Sequence, residues 1–571
     1  MLRQVMLTWK RRMAKMSCGR AAVAALRAAG VTKVFGLMGS STLEMYDALY
    51  DAKDLAYIGV RHENCGAHMA DAYGRVTQTP GLFICGQAGP GSINMILGLA
   101  AAKMAYSPLV VITGLPATEH LGRDGFQEID QHTVLLPVTK RVMTVPRADR
   151  IPEFIVEAFR IANSGRRGPV VVMIPRDLFN HDIDVEIPRS PPEMLGGTVD
   201  RDVLERIKEM ILAAKAPVIH AGAGIKWGRG SARLLALAER LQLPITTSAG
   251  HGDVVAIDHA LYAGAVGPRG NPVASGLMRE ADLVLALGTR LGFNTTRYQY
   301  ENISPQAKIV QVDIDPIAVG RYFPIALGIV GDAGTVAAAL AGFMKAMPAE
   351  NAPWRARNEK FVKDRQQLAQ QREASGNHAG KPLHPDVIYA ELRKVAPRDA
   401  LFTVDAGTTG LQATDQLPYH TVPALLTPLD CASIGFSYAA GLGAKVAAPR
   451  RPVISLMGDG GFGMTMGEMA TAVMHDIPTI AIVMDNGAWG SEIAYQRDFF
   501  NRRYIGAHVH SPRFDEVMKL TGGSGYFVTE RGETADAVNH AMKEGKPAVI
   551  HAKVDPDAVI SFRTDALKKR N

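Results

Sequence analysis

Short apolar runs alternating with segments of helical period recur from Cys18 to about Arg563, and they restrict the possible folds more than any other feature of the chain. In the first block, Cys18 to Pro188, the runs KVFGLM, LAYIGV, GLFICG, PLVVITG and GPVVVMIP have the length and character of buried strands. Stretches such as His62–Val76 and Ile93–Met104 between them have helical period. Strand–helix–strand repetition implies parallel strands joined by helical crossovers. A second block carries APVIHAG, LPITTS, DLVLALG and AKIVQVDID, and a third LFTVDAG, RPVISLMGDGG, TIAIVMDN and PAVIHAKV. At 571 residues the chain exceeds the roughly 250–300 that one core can hold. The expected fold is therefore α/β, with three doubly wound parallel-sheet domains at 17–188, 195–346 and 382–563. Ile183–Met194 reads as a first linker, and 347–381, with WRARNEKFVKDRQQLAQQ, as a solvated connecting helix.

Composition removes several classes of function. The net charge of +7 is spread along the chain and only 6% of residues are aromatic, so no basic, aromatic-lined nucleic-acid groove is expected. A diffuse positive balance favours small anionic ligands. No apolar run reaches the roughly 18–20 residues of a membrane span. Cys18, Cys65, Cys85 and Cys431 lie far apart without a C-x-x-C pair, which argues against a zinc site and for a reducing compartment. The opening MLRQVMLTWKRRMAKM is basic and free of acids, as targeting segments are. Met13 and Met16 stand just before the first patterned residues, so it is read as a start-site extension and the protein as cytoplasmic.

Two strand ends carry the chemistry. Ile454–Met457 runs into Gly458-Asp459-Gly460-Gly461, and Thr479–Met484 into Asp485-Asn486-Gly487. In an open parallel sheet, ligands bind beyond the carboxyl ends of the strands. Asp459 offers a carboxylate oxygen, Asn486 an amide oxygen, and Ala488 a main-chain carbonyl. Magnesium takes hard oxygens of this kind together with phosphate oxygens and water. Gly458, Gly460 and Gly461 allow main-chain N–H groups to approach a diphosphate, with a helix expected over Met464–Met474. GDG alone is a common strand–helix turn. Asn486 follows Asp459 by 27 positions, enough for one helix and one strand, and that spacing suits neighbouring strand ends.

The run Gly458–Asn486 resembles the cofactor motif of the thiamine-diphosphate (ThDP) enzymes, in which GDG and a downstream asparagine hold magnesium. The usual asparagine pair is Asp485-Asn486 here; the ligand is the second member. Arg61-His62-Glu63 through Tyr73-Gly74-Arg75 resembles the R-H-E-x-x-A-x-x-M-A-x-x-Y-x-R pattern of the acetolactate-synthase-like branch. By itself Glu63 is an ordinary first-turn acid. By the resemblance it is the catalytic carboxylate that hydrogen-bonds the cofactor's aminopyrimidine. The resemblance also implies a homodimer, further paired into a tetramer, in which the glutamate of one subunit meets the GDG domain of another. Phe35–Ser40, with Gly39 and Ser40, Gly89–Asn94 and Gly125–Glu128 match loops around the partner's cofactor. Gly407, Thr408 and Thr409 match a diphosphate contact, and Ile434 the apolar wedge that bends the cofactor.

Gly125–Glu128, Trp489–Arg503 and Phe562–Leu567 are most similar to the sulfoacetaldehyde acetyltransferase branch. That likeness implies conversion of sulfoacetaldehyde and phosphate to acetyl phosphate and sulfite. Gln127, Arg497 and Arg503 are then substrate candidates, with Arg502 beside them, because guanidinium groups suit sulfonate and phosphate. The Cys85–Gly89 loop and the Asp485–Ala488 turn depart from that branch, so an acetolactate-synthase-like carboligase or a 2-hydroxyacyl-CoA lyase stays open. Gly222-Ala-Gly224 and Gly288-Thr289-Arg290 resemble features of FAD-binding relatives; FAD is not expected. A nicotinamide dehydrogenase needs an acid after the next strand, where LPITTS has threonines. A catalytically dead relative is disfavoured by the joint presence of Glu63, Asp459 and Asn486.

Overall fold

A computed structural model describes residues 14–188, 197, 199–347, 352–563 and 566–567. The basic opening, most of the 189–198 stretch and part of the tail lie outside these residues. The chain forms two compact units that divide between residues 194 and 195.

The first unit holds a six-stranded parallel sheet in the order Ala56–Gly59, Lys33–Leu37, Gly81–Cys85, Leu109–Leu115, Pro169–Pro175, Arg141–Thr144. Helices Cys18–Ala28 and Ile151–Asn163 pack their apolar faces into its core. A separate antiparallel pair joins Ala14–Ser17 to Asp182–Val185. The start of the expected first linker is thus a strand: Ile183 is buried while Asp182 and Asp184 are exposed, a period-two alternation.

The second unit holds two six-stranded parallel sheets. One runs Tyr262–Ala265, Ile245–Thr247, Pro217–Ala221, Leu283–Leu287, Lys308–Asp313, Leu327–Val330, the 3-2-1-4-5-6 order of dinucleotide-binding folds. The other runs Leu425–Leu426, Leu401–Val404, Val453–Gly458, Ile480–Asp485, Ala548–Lys553, Ser524–Val528. Its chain order, 2-1-3-4-6-5, is also that of the first unit's sheet.

The helix Arg355–Ser375 fastens this unit rather than merely spanning it. Of its own residues only Phe361 is buried, but preceding it Trp354 is buried and donates Nε1–H to the Gln242 carbonyl at 2.6 Å. Arg357 donates to the carbonyls of Pro217 and Leu277, and Arg365 to those of Ile257 and His259. Arg372 pairs with Asp415 of the third block. Between the two sheets, the buried Asp253 carboxylate receives Lys226 Nζ and the main-chain N–H groups of Ala424 and Leu425. These bonds explain why the second and third sheets form one compact unit.

Among the described residues no helix is long and apolar enough to cross a membrane.

Candidate active site at the third sheet

Val453–Gly458 and Ile480–Asp485 lie side by side and parallel, with Ile454 opposite Ile480 and Gly458 opposite Met484. Their core residues are fully buried, so both strands are fixed in register. Asp459 and Asn486 therefore emerge at the same edge of the sheet. Leu401–Val404 flanks Val453–Gly458 on the other side and leads into Asp405–Gly407. Strand order reverses there, and such switch points open a crevice for ligands.

The crevice is a cavity of about 350 Å³. Gly407, Thr408, Thr409, Ile434, Gly458, Gly460, Gly461, Asn486 and Ala488 line it together with Asp405, Gln412, Trp489, Ser491, Glu492, Ala558 and Val559. Asp459 is fully buried at its edge. Its Oδ2 accepts a hydrogen bond from Ser511 Oγ at 2.8 Å, and its Oδ1 meets no partner among the described residues. Burial pushes this carboxyl up to about 6, partly opposed by the Ser511 hydroxyl and reinforced by the nearby charge of Asp485. The hydroxyls of Thr408 and Ser491 are likewise buried without a partner among the described residues. Buried polar atoms are normally satisfied. A carboxylate oxygen, an amide oxygen and two hydroxyls around one cavity fit a hard cation with a phosphate-bearing ligand.

The turn after Ile480–Asp485 is held from behind. Asp485 accepts hydrogen bonds from His551 Nε2 and Lys553 Nζ, both at 2.9 Å, and from the Gly487 N–H at 2.8 Å. The Phe514 N–H donates to His551 Nδ1 at 3.1 Å, which leaves Nε2 as the ring nitrogen facing Asp485. Despite burial, these donors hold Asp485 well below the usual carboxylate range. Asn486 Oδ1 accepts the Ala488 N–H at 3.2 Å, which closes the turn and leaves a second lone pair.

The helix expected over Met464–Met474 begins five residues earlier and is two helices, Asp459–Thr465 and Glu468–Met474. DGGFGMT has poor intrinsic helicity, and tertiary packing overrides it: Phe462 is buried against the rings of Tyr438 and Phe514 at 5.0 and 4.9 Å between centroids. The glycines divide by role. A Cβ on Gly460 would lie 2.4 Å from the Trp489 ring, and one on Gly461 2.4 Å from Asp405 Oδ2, whereas one on Gly458 would meet open space. Gly407 has a φ of 82°, in the left-handed region, where it starts the helix Thr408–Ala413.

Other singled-out residues lie elsewhere. Glu63, in the first unit, is buried as the first residue of the helix Glu63–Thr77, and Asn94 Nδ2 donates to its Oε2 at 3.0 Å. A Cβ on Gly91 would stand 3.2 Å from its Oε1. Gly39 packs main chain to main chain against Gly86, and Ser40 Oγ donates to Gln87 Oε1 at 3.3 Å. Gln127 adopts a φ of 61°, and its carbonyl accepts the Gly89 N–H.

The arginines expected to meet substrate anions are not in the cavity wall. Arg497 donates from Nε to Asp498 at 2.7 Å, from Nη1 to the Asp557 carbonyl at 2.9 Å and from Nη2 to the Val559 carbonyl at 3.1 Å. Those bonds consume most of a guanidinium's donors. Arg502 and Arg503 are exposed. In the middle sheet, Gly222 and Gly224 are required by close approach to Gly288, since a Cβ on either would lie 2.6 Å from its main chain. His378, His384 and Asp386 bring donor atoms within 4.8 Å of one another. There the imidazoles stack with centroids 4.2 Å apart, and His384 Nδ1 already accepts the Asp386 N–H.

Sequence reasoning missed Ser511 and Asp405. Ser511 stands 52 residues beyond Asp459 with no local pattern to mark it. Asp405 had a signal, the strand end LFTVDAG. It is buried and accepts the N–H groups of Gly435 and Phe436 at 2.9 and 3.0 Å; burial nevertheless pushes it up to about 7.

Comparison with known proteins agrees with this geometry. Residues 16–134 match the N-terminal TPP-binding domain of thiamine pyrophosphate enzymes, 204–340 their central domain and 405–552 their C-terminal TPP-binding domain. The chain is 35% identical to sulfoacetaldehyde acetyltransferase of Alcaligenes xylosoxydans xylosoxydans, over 97% of this chain and 96% of that one. It is 33% identical to the enzyme of the same name from Castellaniella defragrans, with the same coverage. To a probable acetolactate synthase large subunit of Methanocaldococcus jannaschii it is 30% identical, over 95% of this chain and 92% of the relative. With three matching domains and full-length relatives, the chain belongs to the thiamine-diphosphate-dependent enzymes of the acetolactate synthase and sulfoacetaldehyde acetyltransferase family.

Proposed function

We propose that the protein is a cytoplasmic ThDP- and Mg²⁺-dependent acetyltransferase that converts sulfoacetaldehyde and phosphate to acetyl phosphate and sulfite. The observation that carries this reading is identity of 35% and 33%, across nearly the whole chain, to two enzymes bearing that name. The buried oxygens of Asp459, Thr408 and Ser491 that have no partner among the described residues support use of the cofactor. When bound, ThDP supplies a nucleophilic carbon that adds to carbonyl groups.

In this reading Asp459, Asn486 and the Ala488 carbonyl hold magnesium. The main chain at Gly458 and Gly407 and the hydroxyls of Thr408, Thr409 and Ser491 receive the diphosphate, and Ile434 supports the bent cofactor. Glu63 accepts a hydrogen bond from the aminopyrimidine ring, where burial shields it from water. The four free cysteines fit a reducing compartment. FAD is not invoked, because the glycines around Gly222 and Gly288 are accounted for by packing.

We further propose a homodimer, paired into a tetramer, with Glu63 of one subunit serving the cavity of another. Ile93, Leu97 and Met104 leave apolar side chains 40–46% exposed on the two helices after Ala88, as an interface would require. Mixing Glu63→Gln and Asp459→Ala proteins tests this, since hybrid dimers regain one intact site. No recovery of activity on mixing and exchange would reject a shared site.

The decisive assay incubates protein, ThDP, Mg²⁺ and phosphate with sulfoacetaldehyde and measures sulfite and acetyl phosphate. Sulfite without acetyl phosphate would remove the acyl transfer to phosphate. Neither product, with turnover of 2-oxo acids or 2-hydroxyacyl-CoA, would favour the carboligase or lyase reading.

A further inference from the structure

After the strand Ala548–Lys553 the chain does not leave the site. Asp555, Ala558 and Val559 form part of the cavity wall. Residues 555–563 contain no helix or strand, and beyond the Asp555 N–H, which donates to the Leu383 carbonyl at 2.9 Å, no ladder of main-chain hydrogen bonds holds this strap in place. Side chains donating to its carbonyls do so instead. Gln412, from the helix Thr408–Ala413, donates to the Ala558 carbonyl at 2.8 Å, and its own Oε1 is held by the buried Tyr389 hydroxyl at 3.1 Å. Arg497, from the helix Gly490–Phe499, grips the Asp557 and Val559 carbonyls on either side of Ala558. Asp498 orients Arg497 and also accepts the Ser561 hydroxyl at 2.7 Å. Arg297 of the middle block donates to the Phe562 carbonyl at 3.0 Å. Both clamping helices contribute cavity residues at their beginnings, Thr408 and Thr409 on one, Gly490 and Ser491 on the other. The clamps therefore tie the strap to the elements that would bind the cofactor.

We propose that Arg497 is a positioning residue that, with Gln412, closes the strap 555–563 over the ThDP cavity and sets how long the cofactor stays bound. The inference rests on ThDP occupying this cavity. Arg497 is not part of the cavity wall; it acts through the two carbonyls it holds. Removing it deletes the two charge-assisted bonds at Asp557 and Val559, leaving the cavity-lining part of the strap on the neutral Gln412 bond while Asp498 and Arg297 still hold Ser561 and Phe562, which raises the population of open strap.

The test uses the full-length protein loaded with Mg²⁺ and ThDP, passed into ThDP-free buffer, with retained ThDP followed by thiochrome fluorescence. Arg497→Ala is expected to release ThDP about ten- to hundredfold faster than wild type. At saturating ThDP its turnover per bound cofactor should stay within about twofold, and millimolar guanidinium should slow the release again. Gln412→Ala, which removes a clamp from the other helix, should also speed release and guards against a folding defect in the first variant. Release at the wild-type rate in both variants overturns the inference, as does lost turnover in Arg497→Ala with release unchanged. Wild-type protein that retains no ThDP at all would overturn the functional reading itself, and this inference with it.

Discussion

Replacing Ser511 with alanine isolates what holds the proposed metal ligand in place. Its hydroxyl is the side-chain donor on Asp459 Oδ2, at 2.8 Å in a buried setting. The other oxygen of that carboxylate has no partner among the described residues, so the serine fixes which way it points. Groups that orient a metal ligand without touching the ion change metal affinity by about 10–100-fold when removed. That range corresponds to about 1.4–2.8 kcal/mol, and hydrogen bonds to charged groups contribute about 1.5–3 kcal/mol on independent grounds. The two estimates agree, so Ser511→Ala should raise the Mg²⁺ concentration for half-maximal ThDP binding by ten- to a hundredfold. Trp489 lines the cavity and supplies a fluorescence signal for a Mg²⁺ titration at fixed ThDP. The metal-free protein should also unfold at lower temperature, because a buried carboxylate has lost its donor. A midpoint within twofold of wild type would show that Asp459 does not bear the metal, whatever the heat stability does.

Glu63→Gln should retain ThDP but lose proton exchange at the cofactor's C2; exchange at the wild-type rate, followed by NMR, would falsify the assignment. Gly460→Ala places a Cβ 2.4 Å from the Trp489 ring, so a loss of about 1–3 kcal/mol and a shifted tryptophan emission are expected. Unchanged thermal melting and emission would mean that the ring has room to move. His220 is buried between Thr246 and Ser248, and burial lowers its pKa from 6.5 to about 3. The unfolded chain gains this proton below pH 6.5 and the folded one does not. The contribution is therefore complete above pH 6.5 and is lost as pH falls toward 3, by about 1.4 kcal/mol per unit. His220→Gln should flatten the decline in stability between pH 6.5 and 5, and a parallel decline in both proteins would count against it.

Alternation of apolar runs with helical segments determined three doubly wound sheets, because buried central strands write themselves as continuous hydrophobic runs. The strands it did not reveal are the antiparallel pair Ala14–Ser17 and Asp182–Val185 and, in the large sheets, Arg141–Thr144, Tyr262–Ala265, Leu327–Val330, Leu425–Leu426 and Ser524–Val528, which all stand at sheet edges. Edge strands have one neighbour and are short or half-exposed; of the six edges of the large sheets, Ala56–Gly59, within LAYIGV, alone left a readable run. That Asp459 and Asn486 emerge at one sheet edge was legible because each follows a strand whose end has a recognisable pattern, and Glu63 stood out through the pattern Arg61–Arg75. Tertiary structure alone decided the rest. It set Ser511 against Asp459, turned Asp485 toward His551 and Lys553, and spent Arg497 on the carbonyls of 557 and 559. A guanidinium or a hydroxyl reads the same in sequence whether it faces a ligand or a carbonyl. Which partner it meets depends on contacts between segments tens of residues apart, and those exist only once the sheets have packed.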